Sequence, residues 1–333
     1  MKKIRIAQIG TNKYSHGPDI FITLKAFPEI FDIAGYALVE NERSKCADKL
    51  WVFEGYKELT LEEILNDPEI EAVAIETDEI HLLKYALLAA KAGKHIHMEK
   101  PGSQSLEDFK ALVDEVKAQG KVFHLGYMYR YNPVISKTIE TAKAGEYGEI
   151  FSVEAHMSRL DGEEVKEWLG SFKGGMMFYL GCHLADIVLQ ILGKPEEIIP
   201  LNCSTDPDCI NTEDYAMAVF KYRNGVSFIK TCASEIAGGD RRQVVVTGHK
   251  GSVEIKPIEM GRPKEEGKYF NMVTAYNETF LGSGTTEKVS DTFDRYTDML
   301  KAFGSYVRGE KENPYSVEYE LLLFDTVLKC CGM

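Results

Sequence analysis

Ile4-Arg5-Ile6-Ala7-Gln8-Ile9-Gly10-Thr11-Asn12-Lys13-Tyr14-Ser15-His16-Gly17 is a run of apolar β-type residues that breaks at a glycine and leads into a helical pattern. The same couplet recurs down the first 125 residues. Strand-like runs stand at Ile4–Gly10, Ile33–Val39, Ala72–Ile75, His95–Met98 and Val122–Leu125. Helical periodicity fills Asp19–Ala26, Arg43–Leu50, Leu61–Leu65, Glu79–Lys91 and Leu106–Ala118. Thr60 and Glu63 have the spacing of a capping box, and Gly93 and Gly120 are placed to end the helices before them. Strands joined by helical crossovers pair in parallel, so this half predicts an α/β fold: a doubly wound parallel sheet with helices on both faces.

Beyond about residue 126 the rhythm changes. One long helical pattern, Met176–Leu192, precedes strand-like runs at Tyr215–Tyr222, Val226–Ala233, Val244–Thr247 and Ser252–Ile255. Turn signals at Asn224-Gly225 and Lys250-Gly251 separate them, which predicts a mostly antiparallel sheet in an α+β second domain. Phe293–Arg308 and Val317–Lys329 are again helical in pattern. The expected division is residues 1–125 and 126–333, with the last helix packing back on the first domain.

Composition bounds the partners. The chain has 333 residues, enough for two domains at roughly 150 residues each. Its 39 basic and 52 acidic residues give a net charge of −13, and no Lys/Arg run offsets that excess, so nucleic acid and anionic membranes are poor partners. No stretch of about 18 apolar residues predicts a spanning helix, and Met1-Lys2-Lys3-Ile4 runs straight into the first strand with no leader-like segment. Seven cysteines with no C-x-x-C pair argue against a disulfide framework or structural zinc. The expectation is a soluble cytoplasmic protein.

Four stretches carry candidate chemistry. After the first strand, a dinucleotide site would want glycines that let the backbone approach a pyrophosphate at a helix N-terminus. Gly10 keeps that register, while Asn12 and Ser15 hold the other two places, with Thr11 between; an ordinary βα turn is the competing reading. At the end of the second strand, Glu40 could accept from a ribose and would repel a 2′-phosphate, favouring NAD over NADP. A solvated carboxylate is equally compatible. In Ala92-Gly93-Lys94-His95-Ile96-His97-Met98-Glu99-Lys100-Pro101, the strand delivers Glu99 and Lys100 to its carboxyl end, where open α/β sheets bind ligands. A lysine fixed there by Pro101 could polarise a substrate oxygen. His95, His97 and Glu99 share one side of that strand but splay along it, so no metal site is expected. In the second domain, Tyr179, His183, Asp186 and Gln190 fall on one helical stripe beside an apolar face, after Gly174-Gly175. That stripe is either a site wall or a solvated face.

Taken together, Ala92-Gly93-Lys94-His95 leading to Glu99-Lys100-Pro101, then Tyr129-Arg130-Tyr131-Asn132-Pro133, Trp168, Gly174-Gly175 with His183, and Pro314-Tyr315-Ser316 before a final helix resemble the glucose–fructose oxidoreductase/inositol dehydrogenase (Gfo/Idh/MocA) family along nearly the whole chain. The resemblance implies an N-terminal Rossmann domain and a C-terminal domain with a large open antiparallel sheet, which in such proteins often forms the oligomer interface of a homodimer or homotetramer. It implies NAD(P), with NAD favoured, and a sugar, cyclitol or related polyol as substrate. It places Lys100 by the nicotinamide and the substrate hydroxyl, where it would stabilise the alkoxide, and makes His183 a general base.

Gly10, Thr11, Asn12, Glu40, Glu76, Thr77, Glu99 and Lys100 are the expected cofactor contacts. Arg130, Tyr131, His156, Arg159, Trp168, Tyr179 and His183 are the expected substrate contacts. The chain departs from the family pattern where Tyr179 replaces an aspartate four residues before the histidine, and where a T-P-N-like segment reads Glu76-Thr77-Asp78. Tyr179 could act as a proton donor. Two further readings stay open: an NAD-dependent glycosidase, as some relatives are, and a catalytically silent nucleotide-binding protein.

Overall fold

The computed structural model describes residues 2–262, 265–279 and 282–333. The chain divides into two compact units, the first comprising Met1–Tyr127 with Tyr296–Phe324 and the second Met128–Arg295 with Asp325–Met333.

In the first unit the elements alternate: β1 (Ile4–Ile9), α1 (Gly17–Ala26), β2 (Phe31–Ala37), α2 (Glu42–Lys45), α3 (Leu61–Asn66), β3 (Ala72–Ile75), α4 (Leu82–Lys91), β4 (His95–Met98), α5 (Leu106–Gln119) and β5 (Phe123–Leu125). The strands pair in parallel in the order β2-β1-β3-β4-β5. β3 is buried at all four positions, as a strand covered on both faces must be. Order reverses at β1, whose neighbours are β2 and β3, and that is where an open α/β sheet places its ligand crevice. Thr60 caps α3 in a complete capping box, and Gly120 ends α5 in the left-handed region at φ +61°.

Three boundaries differ from expectation. The helix expected over Arg43–Leu50 is one turn of α2 followed by a 3₁₀ segment, Ala47–Phe53, which delivers Val52 and Phe53 to a cluster with Phe21. The helix expected from Glu79 starts at Leu82, because Asp78 to His81 closes a turn that leaves Glu79 buried. The helix expected from Phe293 starts at Thr297, Phe293 instead bridging Tyr269 by two backbone hydrogen bonds. This helix, α9 (Thr297–Val307 once the second unit's helices are counted), lies close over β1 and β2: a Cβ on Gly304 would stand 2.7 Å from Ile30.

The second unit begins with α6 (Pro133–Lys143), β6 (Ile150–Ser158), α7 (Glu163–Leu169), a π-helical turn at Met177–Gly181 and α8 (Cys182–Leu192). The strands β7 (Glu197–Cys203), β8 (Tyr215–Tyr222), β9 (Gly225–Cys232), β10 (Gln243–Gly248), β11 (Gly251–Ile255), β12 (Met260–Arg262), β13 (Glu265–Phe270), β14 (Met272–Thr279) and β15 (Gly282–Val289) follow. Seven of them join β6 in one eight-stranded sheet, in the order β15-β14-β11-β10-β6-β9-β8-β7, antiparallel except where β6 meets β9. The expected open, mostly antiparallel sheet is therefore present, wider than the four strands read from sequence. α8 packs against β6 and β9. The last helix, α10 (Val317–Cys330), belongs to the first unit as far as Phe324.

Candidate active site

In the first unit the candidate residues gather at the carboxyl ends of β1, β3 and β4. Gly10 leaves β1 at φ +81°, and a Cβ there would meet Thr77 Cβ at 2.7 Å and Glu42 Oε1 at 2.9 Å, so only glycine fits. Gln8 Nε2 donates to the carbonyls of Gly10 and Gly17, fastening both ends of the loop between them. Inside that loop Asn12 Oδ1 accepts from Tyr14 N, and Asn12 Nδ2 donates to Glu79 Oε2 at 2.7 Å. The amino end of α1 follows directly, and a Cβ on Gly17 would stand 3.0 Å from Thr11 Oγ1 and 3.2 Å from Glu76 Cβ. Its first-turn N–H groups carry the partial positive charge that suits an anionic group.

Around this loop lies a concentration of acid. Glu76, Glu79, Glu99 and Lys100 are all buried, three carboxyls to one ammonium, and Lys100 Nζ sits 3.2 Å from Glu99 Oε1. Burial, then the charges of Glu99 and Glu79, pushes Glu76 well above the usual carboxyl range. Burial pushes Glu79 up to about 8, with Lys100 opposing. Burial thus favours the protonated form of both. Thr11 Oγ1, Ser15 Oγ, both Glu76 oxygens and Glu79 Oε1 are buried without a hydrogen-bond partner among the described residues. Such atoms are costly unless a ligand satisfies them. Beside a helix N-terminus, they suit a molecule that brings both hydroxyls and an anionic group.

The end of β2 holds two acids. Glu40 sits at φ +50° and turns its carboxylate to Lys84 Nζ and Tyr85 Oη, each at 2.6 Å. Those hydrogen bonds hold it down to about 2. The carboxylate against Gly10 belongs to Glu42, which accepts from Thr77 Oγ1 at 2.6 Å and Val39 N at 2.9 Å. Burial pushes Glu42 up to about 7. Glu42 and Glu79 escaped the sequence reading; the acid density of Glu76-Thr77-Asp78-Glu79 was the available signal for the second. The three acid/base residues on and just after β4 part company. His95 Nδ1 accepts from Val122 N, His97 pairs with His124 at 2.7 Å, and Glu99 faces Lys100.

In the second unit, α8 is buried from Cys182 to Gln190, so the polar stripe is not a solvated face. Asp186 and Gln190 are consumed internally: Asp186 takes two hydrogen bonds from Arg130 and one from Gln190. The π turn at Met177–Gly181 carries Tyr179, which packs edge-on to Trp168 with centroids 5.0 Å apart. π turns concentrate at functional sites. His183 meets the ring of Tyr129 edge-on at 5.1 Å. Tyr129 Oη in turn donates to Glu259, which also receives Arg242 and Arg295. Burial opposes the Glu259 charge, but Arg295 and Arg242 hold its carboxyl below the usual range. That network, absent from the sequence reading, fixes the ring against which His183 rests. Arg159 pairs with Asp161 at 2.6 Å, His156 lies within β6 opposite Gln243 and Lys230, and Tyr131 closes a 3₁₀ turn at Met128–Tyr131.

Comparison with known proteins accounts for both units. Residues 4–127 match the oxidoreductase family model with an NAD-binding Rossmann fold, and residues 136–254 match the GFO/IDH/MocA C-terminal domain. The uncharacterized oxidoreductase YhhX of Escherichia coli (strain K12) is 28% identical over 193 residues, which span 58% of this chain and 54% of that protein. The chain thus spans about half the length of this curated relative. The scyllo-inositol 2-dehydrogenase (NAD(+)) of Bacillus subtilis (strain 168) is 33% identical over 131 residues, 39% of this chain and 38% of that one. Among solved structures, a levoglucosan dehydrogenase in complex with NADH and levoglucosan shares the fold at a TM-score of 0.78 and 18% identity, covering 99% of this chain and 98% of that one. The chain belongs to the GFO/IDH/MocA family of oxidoreductases, with its NAD-binding Rossmann domain at the N-terminus.

Proposed function

We propose that the protein is an NAD-dependent dehydrogenase or reductase that acts on a carbinol carbon of a sugar, cyclitol or related polyol. The observation that carries this reading is Lys100, buried and paired with Glu99 at the carboxyl end of β4, beside buried hydroxyls and carboxyls that lack protein partners. The substrate class is supported by relatives named for inositol and for D-xylose.

The residues at the switch of strand order fit a dinucleotide. The N-terminus of α1 and the Gly10–Asn12 backbone would receive its phosphates, and Glu76, Thr77 and Glu99 its hydroxyls. Glu40, ionised at the end of β2, would disfavour a 2′-phosphate, hence NAD over NADP. When bound, the nicotinamide supplies the hydride acceptor or donor. Lys100 stabilises the alkoxide through its ammonium, and His183 takes or returns the hydroxyl proton. Tyr179 offers a phenol to the same substrate, and Trp168, Tyr131, His156, Arg130 and Arg159 remain the pocket candidates. Ile199, Leu201, Val226, Met272 and Val289 are exposed apolar side chains on strands of the large sheet, which supports a homodimer or homotetramer. A cytoplasmic setting suits such a reaction.

The test is a panel of polyols and sugars with NAD and with NADP, followed by reduced-nicotinamide absorbance and by calorimetric titration of each cofactor. Binding with turnover of one substrate class is expected. Binding of neither cofactor would remove the enzyme reading. Binding with sugar cleavage but no net cofactor reduction would favour a glycosidase.

A further inference from the structure

Glu259, between β11 and β12, is the hub of a buried network that ends on the ring of Tyr129. Tyr129 Oη donates to its Oε1 at 2.8 Å, as do Arg242 Nη1 at 2.9 Å and Arg295 Nη2 at 2.6 Å. Arg295 Nε donates to Oε2 at 3.0 Å. The backbone beside it is held as well. Ile258 N donates to the Arg242 carbonyl at 3.0 Å, and the Ile258 carbonyl accepts from Asn132 Nδ2 and Asn271 Nδ2. The Arg295 guanidinium lies 4.2 Å over the ring of Tyr269, and Arg242 Nε reaches the Ser158 carbonyl, at the end of β6, at 3.4 Å. All of these residues belong to the second unit.

The network holds Tyr129 at both ends. Its backbone lies in the 3₁₀ turn Met128–Tyr131, and its hydroxyl, on the long axis of the ring, is tied to Glu259. A bond at that position fixes where the ring points, which rotamer preference alone would leave open. Burial, then the Glu259 charge, pushes the phenol well up, so it stays a neutral donor. Beyond the ring stands His183, whose imidazole meets it at 84° with centroids 5.1 Å apart. α8 is buried from Cys182 to Gln190, which fixes the backbone of His183. The turn of an imidazole about its last side-chain bond is only weakly fixed by its own torsion. A wall of fixed direction beside the ring narrows that turn.

We propose that Tyr129 and Glu259 are positioning residues for His183, with Glu259 acting only through the Tyr129 phenol. Arg242 and Arg295 keep Glu259 ionised and in place, and Glu259 holds the Tyr129 hydroxyl. The Tyr129 ring then holds the imidazole at the angle from which it takes or returns the substrate proton. In this role neither residue touches the reacting atoms. A general base must lie within hydrogen-bond reach of its proton, so loss of that angle lowers rate more than affinity. The catalytic consequence rests on the oxidoreductase reading; the mechanical link from Glu259 to His183 does not.

Two measurements test it. In the first, the full-length protein carries ¹³C-labelled histidine, with His183→Gln to assign the ring signal. Wild type is compared with Tyr129→Phe, Glu259→Gln and the double variant. Tyr129→Phe keeps the ring and both arginine pairs of Glu259, so it decides the matter even if Glu259→Gln does not fold. Each single change is expected to move the His183 signal, and Glu259→Gln to add nothing once the phenol is gone. An unmoved His183 signal in either folded single variant would overturn the link, as would an effect of Glu259→Gln that survives in the Tyr129→Phe background. In the second, with the substrate the panel identifies, Tyr129→Phe is expected to lower kcat ~10-fold while KM and calorimetric NAD affinity stay within about 2-fold. Tyr129→Leu, which removes the ring, should lose more than Tyr129→Phe. Residues serving stability alone would lower the unfolding temperature and leave kcat at the wild-type value, and that result would remove both from positioning. A panel without wild-type turnover would sink the oxidoreductase reading, and the His183 signal would still decide the link.

Discussion

Arg130 and Asp186 meet through two hydrogen bonds of 3.0 Å, Nε to Oδ2 and Nη2 to Oδ1, with both side chains buried. Asp186 lies one helical turn beyond His183, so the pair ties α8 to the segment that precedes α6. A buried charge left without its partner is far more costly than the pair itself. Asp186→Ala is therefore expected to lose about 3 kcal/mol or more of stability, read from urea unfolding. A loss under ~1 kcal/mol would show that the pair does not brace the helix. The guanidinium is thus committed to Asp186, which weakens its claim as a substrate contact.

Lys100→Ala is expected to lower kcat by at least ~10²-fold while circular dichroism and calorimetric NAD binding stay close to wild type. The split follows from position: Lys100 pairs with Glu99 at the strand end, while the loop that would receive the phosphates is held by Gln8, Gly10 and Asn12. Turnover at the wild-type rate would take Lys100 out of the chemistry.

Much of this was legible in the chain, and the rest has physical reasons for being hidden. The runs Ala72–Ile75 and His95–Met98 are short and largely buried, as strands covered on both faces are, so they announced the parallel sheet. Lys100 was legible because a strand must end at its proline. Glu42 was hidden because Glu40 and Asn41 both take left-handed backbone angles, a turn that reverses which acid faces Gly10. The pairing of His97 with His124 depends on strand register, which spacing does not encode. The π turn at Met177–Gly181 shifts the phase of the helix before His183, so a stripe drawn at 100° per residue joins Tyr179 to His183 more directly than the backbone does.

Glu40 has a sharp consequence for cofactor choice. Its hydrogen bonds to Lys84 and Tyr85 keep it ionised down to about 2. Any preference for NAD that it creates should be flat across ordinary pH. Glu40→Ala should weaken NAD more than NADP in calorimetric titration, leaving the ratio less selective. An equal loss for both cofactors would undo the ribose assignment.

Glu42 links stability to pH in the opposite sense from most carboxylates. Its folded value is raised from 4.5 to about 7 by burial, so between those values the native state holds a proton that the unfolded chain has released. Stability from this group is present below the unfolded value and is lost as pH rises towards 7. Glu42→Gln removes that slope while keeping an acceptor for Thr77 Oγ1. Without cofactor, the variant should gain ~1–3 kcal/mol relative to wild type at about pH 8 and much less near pH 5, by urea unfolding at each pH. A gain independent of pH would mean that Glu42 does not titrate in the folded protein.

Tyr179 separates packing from chemistry. Its ring is buried in the π turn and held edge-on by Trp168, so Tyr179→Phe keeps the shape and removes only the hydroxyl. A residue serving packing alone would tolerate that change in both stability and rate. A residue that hydrogen-bonds or protonates the substrate would keep stability within about 1 kcal/mol and lose ~10-fold or more in kcat, with the loss varying across the pH profile. The second pattern is expected, because the edge-on ring contact with Trp168 survives the loss of the hydroxyl. If kcat and its pH profile match wild type, the proton chemistry belongs to Lys100 and His183 alone.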